Sequence, residues 1–309
     1  MRNCYSKARG KLLIRLTLSI CLSLSIFCFC AGSASASVQK IGPDLYAYIS
    51  ENDASANSTF LVSDQGILVV DTGINAQEGR KLLDEIRKVS QAPVRWIVNT
   101  HYHPDHRGGN SVVGPDAVII TRIWTRWRVL DLQRKEDIRN GHKSPPEYPL
   151  NEAFHGELTL YVGGHEVRIY GTGAAHTQGD AIVYFPDLRA IATGDLFLNN
   201  SCPAMDDGDL ENWIVELNRM LVLPLEHIVP GHFAVARKTE LEHFRDYLAA
   251  LRDQVGSMYN SSFTLEQTKR SVKMTGFNDL RQFPQYEATF ADNAAAYYRQ
   301  LASKHPPRP

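Results

Sequence analysis

From Val38 onward, short apolar or alternating runs separated by turn residues fill the chain, and after Gly231-His232 they give way to helices, with no internal repeat at a fixed period. Leu45–Ile49, Thr59–Val62 and Ile67–Val70 are predicted strands, the last two joined at Asp64-Gln65-Gly66 as in a hairpin. Ala76–Val89 has helical spacing, with Leu82, Leu83, Ile86 and Val89 on one face. Val94–Val98 and Ala117–Ile120 are buried-type strands, and Trp124–Ile138 is a charge-laced helix. Asn140 to Asn151 carries Gly141, Pro145, Pro146 and Pro149 and is predicted to be a loop, a candidate cover over a cleft. Leu158–Tyr161 and Glu166–Tyr170 pair across Gly163-Gly164, and Ala181–Phe185 and Ala190–Ala192 follow as strands. A helix over Leu210–Leu223 leads to a short strand, Ile228–Val229, and then to helices over Lys238–Gln254, Thr264–Lys273 and Gln285–Lys304. Two strand-rich halves, each supplying a helix, predict an α+β architecture: a four-layer αββα sandwich with C-terminal helices.

The first 36 residues change this picture, because they read as an export leader. Arg2, Lys7, Arg9, Lys11 and Arg15 form a basic region, Leu16 to about Ala31 is uncharged and apolar, and Ala34-Ser35-Ala36 is a small-residue cleavage pattern. Ser37 is then the mature N-terminus. A retained membrane anchor is the alternative, but the apolar run is short for a span of roughly 20 residues and is diluted by serines. The expected organisation is a leader over 1–36, a catalytic domain over 37–235 and a helical extension over 236–309. Cleavage implies a periplasmic or secreted protein with no stable membrane insertion.

Removing the leader's five basic residues from the chain's 33 leaves 28 Lys+Arg against 34 Asp+Glu, a formal charge of −6. That balance disfavours a nucleic-acid partner, which calls for a basic patch; the partner expected from the motifs below is a small-molecule substrate. Oligomeric state is left open. Four of the five cysteines lie in the leader, so the mature chain keeps only Cys202 and forms no internal disulfide. The fold must stand on its core, with any help coming from metals.

The chemistry concentrates in Asn99-Thr100-His101-Tyr102-His103-Pro104-Asp105-His106-Arg107-Gly108-Gly109-Asn110, directly after a buried strand. His101 and His103, two apart in an extended stretch, point to one side and can share a metal. Asp105 and His106 turn the other way and can serve a second. Pro104 stiffens the turn between the pairs, and Gly108 and Gly109 are expected to let the backbone pass close to the site. Three imidazoles and a carboxylate packed together without a metal would repel on protonation and would be desolvated without compensation. Three later fragments place further candidate ligands at strand ends or beside glycines: His176 in Ala175-His176-Thr177-Gln178-Gly179-Asp180, Asp195 in Thr193-Gly194-Asp195, and His232 in Pro230-Gly231-His232.

Through its H-x-H-x-D-H motif and the later His, Asp and His motifs, the sequence resembles the metallo-β-lactamase superfamily over about Val38 to Val235. The resemblance implies one metal on His101, His103 and His176 and another on Asp105, His106 and His232, with Asp195 bridging. Asp71, at the end of Ile67-Leu68-Val69-Val70-Asp71, matches the carboxylate that supports the site from outside the metal shell. A ligand set of histidine and aspartate without thiolate is closer to hydroxyacylglutathione hydrolases, lactonases and phosphodiesterases than to β-lactamases with a cysteine ligand. It suits two zinc ions, with iron and manganese not excluded. The implied chemistry is attack by a metal-bridging hydroxide on an ester, lactone, thioester or amide, with Asp105 handling the proton. β-Lactam hydrolysis is not favoured. An iron-dependent oxidoreductase of the persulfide dioxygenase type and a metal-loaded accessory protein beside a periplasmic quinoprotein dehydrogenase are the competing readings.

Substrate contacts are weakly marked. Trp124 and Trp127 stand at the start of a helix that can border the cleft, although at this spacing core positions are expected. Glu51–Ser58 reads as an ordinary hairpin end, with a rim loop as the alternative. The Asn199–Asp209 stretch is expected near the metals, with Asn199 or Asn200 a candidate oxyanion donor, and Cys202 is expected to be a buried or half-buried thiol.

Overall fold

The computed structural model describes residues 36–141, 151–282 and 286–304. The seven strands of the first sheet run in sequence order: β1 (Ser37–Lys40), β2 (Leu45–Ile49), β3 (Ser58–Ser63), β4 (Gly66–Val70), β5 (Val94–Asn99), β6 (Val118–Arg122) and β7 (Glu152–Phe154). β3 and β4 pair as the hairpin expected at residues 64–66, with Ser63 opposite Gly66. From β4 to β7 the pairing is parallel, so each strand returns through helical chain: α1 (Ala76–Val89), the one-turn α2 (Pro104–Arg107) and α3 (Asn110–Val113), and α4 (Ile123–Asn140). Parallel strands covered on both faces are apolar throughout, and every residue of β4 is buried.

The second sheet has the order β12-β11-β10-β9-β8, built from β8 (Glu157–Val162), β9 (His165–Gly171), β10 (Ala181–Phe185), β11 (Ala190–Ala192) and β12 (His227–Val229). β8 and β9 form the antiparallel pair expected across Gly163-Gly164, and β11 and β12 are parallel. The remaining helices are α5 (Leu210–Leu221), α6 (Lys238–Asn260), α7 (Leu265–Ser271) and α8 (Tyr286–Lys304).

Three apolar clusters show the layering. Leu61, Leu68, Val98 and Ile120 of the first sheet meet Val167, Ile169, Val183 and Phe185 of the second. Outside the first sheet, Phe60, Val69 and Ile97 pack on Leu82 and Ile86 of α1. Outside the second, Ile182, Ile191 and Ile228 pack on Trp213 and Leu217 of α5 and on Phe244, Leu248 and Leu251 of α6. This is the predicted αββα sandwich, and the helices after residue 235 share one core with α5. Residues 34–309 group as one compact unit.

The elements depart from the sequence expectation in a few places. Val89 is 38% exposed, so the buried face of α1 narrows to Leu82 and Ile86. The strands β1 and β7 were not visible in the pattern: β1 alternates nothing apolar against polar and stays exposed, and β7 is three residues long. The expected loop over 140–151 lies mostly outside the described residues.

Candidate metal centre

Parallel pairing puts the C-terminal ends of β4, β5 and β6 on one edge, and the ends of β11 and β12 supply the facing edge. Asp71 follows β4, the His101–His106 loop follows β5, Asp195 follows β11 and His232 follows β12. Ligand sites gather where several parallel strands end together. His176 arrives on the loop between β9 and β10, tied down by the Ala181 amide donating to the Thr100 carbonyl at 2.8 Å.

All seven sequence-predicted donors converge. Among the described residues two groups have donor atoms within 4.8 Å of one another: His101, His103, His176 and Asp195, and Asp105, His106, Asp195 and His232. Asp195 belongs to both. In the first group His103 Nδ1 lies 2.9 Å from His101 Nε2 and 3.1 Å from His176 Nε2, with Asp195 Oδ2 3.6 Å from His176 Nε2. In the second, Asp105 Oδ2 lies 3.1 Å from His232 Nε2 and 3.3 Å from His106 Nε2, and Asp195 Oδ1 is 3.1 Å from His106 Nε2.

The outward ring nitrogens decide what the inward ones present. His106 Nδ1 donates to Asp71 Oδ2 at 2.7 Å. His101 Nδ1 lies 3.2 Å from Thr100 Oγ1, whose own hydrogen goes to Asp71 Oδ2 at 2.7 Å. His176 Nδ1 faces the Ala204 carbonyl at 3.2 Å and His232 Nδ1 the Asp53 carbonyl at 3.1 Å. With protons held on the outside, lone pairs point inward, as in metal-binding histidines. Asp71, with a third bond from the Thr100 amide at 2.9 Å, fastens the whole β4–β5 edge. His103 Nε2 lies 3.6 Å from Asp207 Oδ2, and the Tyr102 hydroxyl donates to the same carboxylate.

A metal pair fits this donor set. His106 Nε2 and Asp195 Oδ1 are buried and have no hydrogen-bond partner although they lie 3.1 Å apart. Two buried acceptors that face each other call for a metal ion or a proton between them. Without a metal ion, protons compete for the role. Burial alone would lower His106, but Asp195, Asp105 and Asp71 raise it well above the usual imidazole range, and His232 rises against burial through Asp195 and Asp105. Burial, reinforced by neighbouring histidines, holds His101 well below its ordinary value, and His176 is pushed down to about 4, mainly by burial. His103 also falls, again through burial. Burial opposes ionisation of Asp105 and Asp195, but His106 and His232 overcome it and keep both carboxyls well below the carboxylate range.

Backbone proximity is built in by glycine. A Cβ on Gly231 would lie 1.9 Å from Asp195 Oδ1, so only glycine brings His232 beside the shared carboxylate. Gly108 and Gly109 do not approach the donors themselves. Their added Cβ atoms would meet the Ile74 carbonyl at 2.0 Å and the Thr72 carbonyl at 2.1 Å, so they lock the motif loop onto the segment after β4.

Some expectations need correction. Glu51–Ser58 is not a plain hairpin end: besides Asp53, the Ala56 amide donates to the Asp105 carbonyl at 3.2 Å and the Asn57 amide to the Gly231 carbonyl at 2.7 Å. Asn199 directs one of its two amide hydrogens to the Ala234 carbonyl at 2.9 Å. Trp124 and Trp127 are 44% and 48% exposed and not core. Cys202, by contrast, is half-buried as expected, and burial pushes its thiol up to about 11.

Two facing sheets with outer helices and a histidine–aspartate cluster at one common edge define an αββα protein with a candidate metal site. The metallo-beta-lactamase superfamily profile matches residues 52–232, and the chain belongs to that superfamily. It is 23% identical over 258 residues to a linear primary-alkylsulfatase of Pseudomonas sp., covering 68% of this chain and 48% of that protein. It is 24% identical over 223 residues to the alpha subunit of a 2,4-dinitroanisole O-demethylase of Nocardioides sp., covering 71% of this chain and 62% of that one. The chain thus spans about half to three-fifths of these relatives' length. Among solved structures, a stereoselective inverting sec-alkylsulfatase from Pseudomonas sp. superposes with a TM-score of 0.69 at 18% identity, over 89% of this chain and 52% of that one. A metallo-beta-lactamase from Pontibacter korlensis gives 0.56 at 22% identity, over 70% and 99%. These last two likenesses establish the fold.

Proposed function

We propose that the chain is a dinuclear metallo-hydrolase, exported and cleaved after Ala36, that acts on an ester, lactone, thioester or amide. The single observation that carries this reading is the pair of donor groups joined by Asp195, with unpartnered buried atoms facing each other between them. His101, His103 and His176 would hold one ion and Asp105, His106 and His232 the other, with Asp195 on both. The nitrogen and oxygen donors, without thiolate, suit zinc. When bound, such a pair supplies a Lewis acid and a water acidified enough to act as a nucleophile near neutral pH.

The chain's own residues do the rest. Asp71 and Thr100 fix the tautomers of His106 and His101, so the site is organised before any ligand arrives. Asp105, ionised because His106 and His232 face it, is the carboxylate placed to take a proton from the nucleophile. The loops carrying Asp53 and Ala204 orient His232 and His176 through their carbonyls. The likeness to alkylsulfatases adds alkyl sulfate esters to the candidate substrates. The full second group of Asp105, His106 and His232 weighs against a one-iron oxidoreductase. β1 begins at Ser37, so cleavage after Ala36 would leave its pairing with β2 whole, and no helix among the described residues is long and apolar enough to cross a membrane.

Metal analysis with a hydrolase panel tests the reading. Purified mature protein should carry about two zinc per chain, and His103→Ala should lose hydrolysis and bound metal together. One iron per chain, or full hydrolysis by His103→Ala at unchanged metal content, would overturn it.

A further inference from the structure

A cavity of about 380 Å³ lies against the candidate metal centre, walled by Tyr102, Trp124, Trp127, Arg128, Asp131 and Asp207. It adjoins the site through Tyr102 and Asp207. Asp207 Oδ2 is 3.6 Å from His103 Nε2, and the rings of Tyr102 and His103 lie 4.4 Å apart. β6 ends at Arg122 and α4 starts at Ile123, so the two tryptophans rise from the same edge as the donors. Their rings meet edge-on at 5.0 Å and 80°, and both remain roughly half exposed. Large indoles left open to water on one wall of a cleft are costly unless something apolar covers them in use. The volume falls within the ~300–1,000 Å³ of small-molecule pockets.

The charges in the cavity narrow the occupant. Among the described residues of its lining the one cation, the Arg128 guanidinium, already sits 5.2 Å over the Tyr102 ring and 3.7 Å from Asp131. Asp207 adds a second carboxylate, which holds the Tyr102 hydroxyl. An anionic group entering here would meet two carboxylates against one committed guanidinium. A neutral, flat or flexible hydrocarbon surface would meet two indoles and a phenol.

We infer that this cavity is the substrate's side-group subsite, and that it takes an uncharged apolar group, aryl or medium-length alkyl, whose hydrolysable bond lies toward His103. The inference rests on the hydrolase reading for the word substrate, but the pocket's selectivity is testable without turnover. In that arrangement Trp124 and Trp127 set specificity for the apolar part, and any charge on the substrate lies at the metal end.

The test uses full-length mature protein and two fluorescent probes that share one skeleton, neutral N-phenyl-1-naphthylamine and anionic 8-anilinonaphthalene-1-sulfonate. The neutral probe should saturate at one per chain, with or without chelator, and the sulfonate should bind about tenfold more weakly or worse, because a charge would be desolvated beside carboxylates. Removing one indole by Trp124→Ala or Trp127→Ala should weaken the neutral probe about tenfold, with unchanged metal content and circular dichroism, and the Phe variants should restore most of it. Affinity within twofold of wild type in the Trp124→Ala/Trp127→Ala double variant would overturn the subsite. So would equal binding of the sulfonate, or no saturable binding of the neutral probe. A silent hydrolase panel with these binding results intact would sink the hydrolase reading and leave the pocket standing.

Discussion

Asp71→Asn is the substitution that isolates the outer support of the candidate centre. Asp71 is 3% exposed and sits at φ 56°, a left-handed conformation that asparagine tolerates better than most residues, so the backbone should hold. The remaining amide oxygen can still accept from the Thr100 amide, now at 2.9 Å from Asp71 Oδ1. The new NH₂ replaces the oxygen that receives both His106 Nδ1 and the Thr100 hydroxyl, each at 2.7 Å. The hydroxyl can turn and accept. The imidazole N–H cannot, so His106 shifts its proton to Nε2, the atom that faces Asp195 and Asp105. A metal at that position must then displace a proton. Loss of such an outer partner costs about 10–100-fold in metal affinity, or roughly 1.4–2.7 kcal/mol. The effect should be selective, weakening the ion on Asp105, His106 and His232 more than the one on His101, His103 and His176. Competition against a chromophoric chelator, read as two stepwise affinities, measures it. Two affinities within twofold of wild type would refute the argument, and so would a loss confined to the first group.

Further outcomes follow from the same geometry. Gly231→Ala places a Cβ 1.9 Å from Asp195 Oδ1, so the shared carboxylate must move; metal content should fall for both ions, and stability should drop by about 1–3 kcal/mol, readable by thermal denaturation. Full metal loading in that variant would count against Asp195 as the common donor. The metal-free protein should be most stable near neutral pH. His101, His103 and His176 have folded values below the ordinary 6.5, so stability is lost as pH falls below 6.5 and the unfolded chain takes protons first. His106 and His232 have raised values, so their contribution is complete below 6.5 and is lost as pH rises through those values. A melting temperature of chelated protein that climbs steadily from pH 5 to 10 would contradict this. Chelation should itself lower the melting temperature, because bound metal adds to folding stability; an unchanged curve would mean the donors hold no ion.

Much of the architecture was legible because burial imposes strict periods. β4, β10 and β11 are buried on both faces and read as unbroken apolar runs, and the hairpin at residues 64–66 announced itself through its glycine. The donors were legible because only a few side chains bind metals, and theirs fall at strand ends or on the loops between strands. What escaped is of two kinds. The carbonyls of Asp53 and Ala204 orient His232 and His176, but every residue has a carbonyl, so such roles leave no mark in composition. The exposure of Trp124, Trp127 and Val89 depends on which side of a helix meets the sheet, and α4 carries charge around most of its circumference, which blurs its apolar stripe. Asp207 stands 104 residues from His103, on a loop with no periodicity, and only the fold brings them together.

The central claim is that His101, His103 and His176, and Asp105, His106 and His232, each surround a metal, with Asp195 between. A crystal structure of zinc-loaded protein with anomalous data across the zinc absorption edge tests it most directly. The account predicts two anomalous peaks per chain, one within each group. A single peak, or peaks away from Asp195, would contradict it.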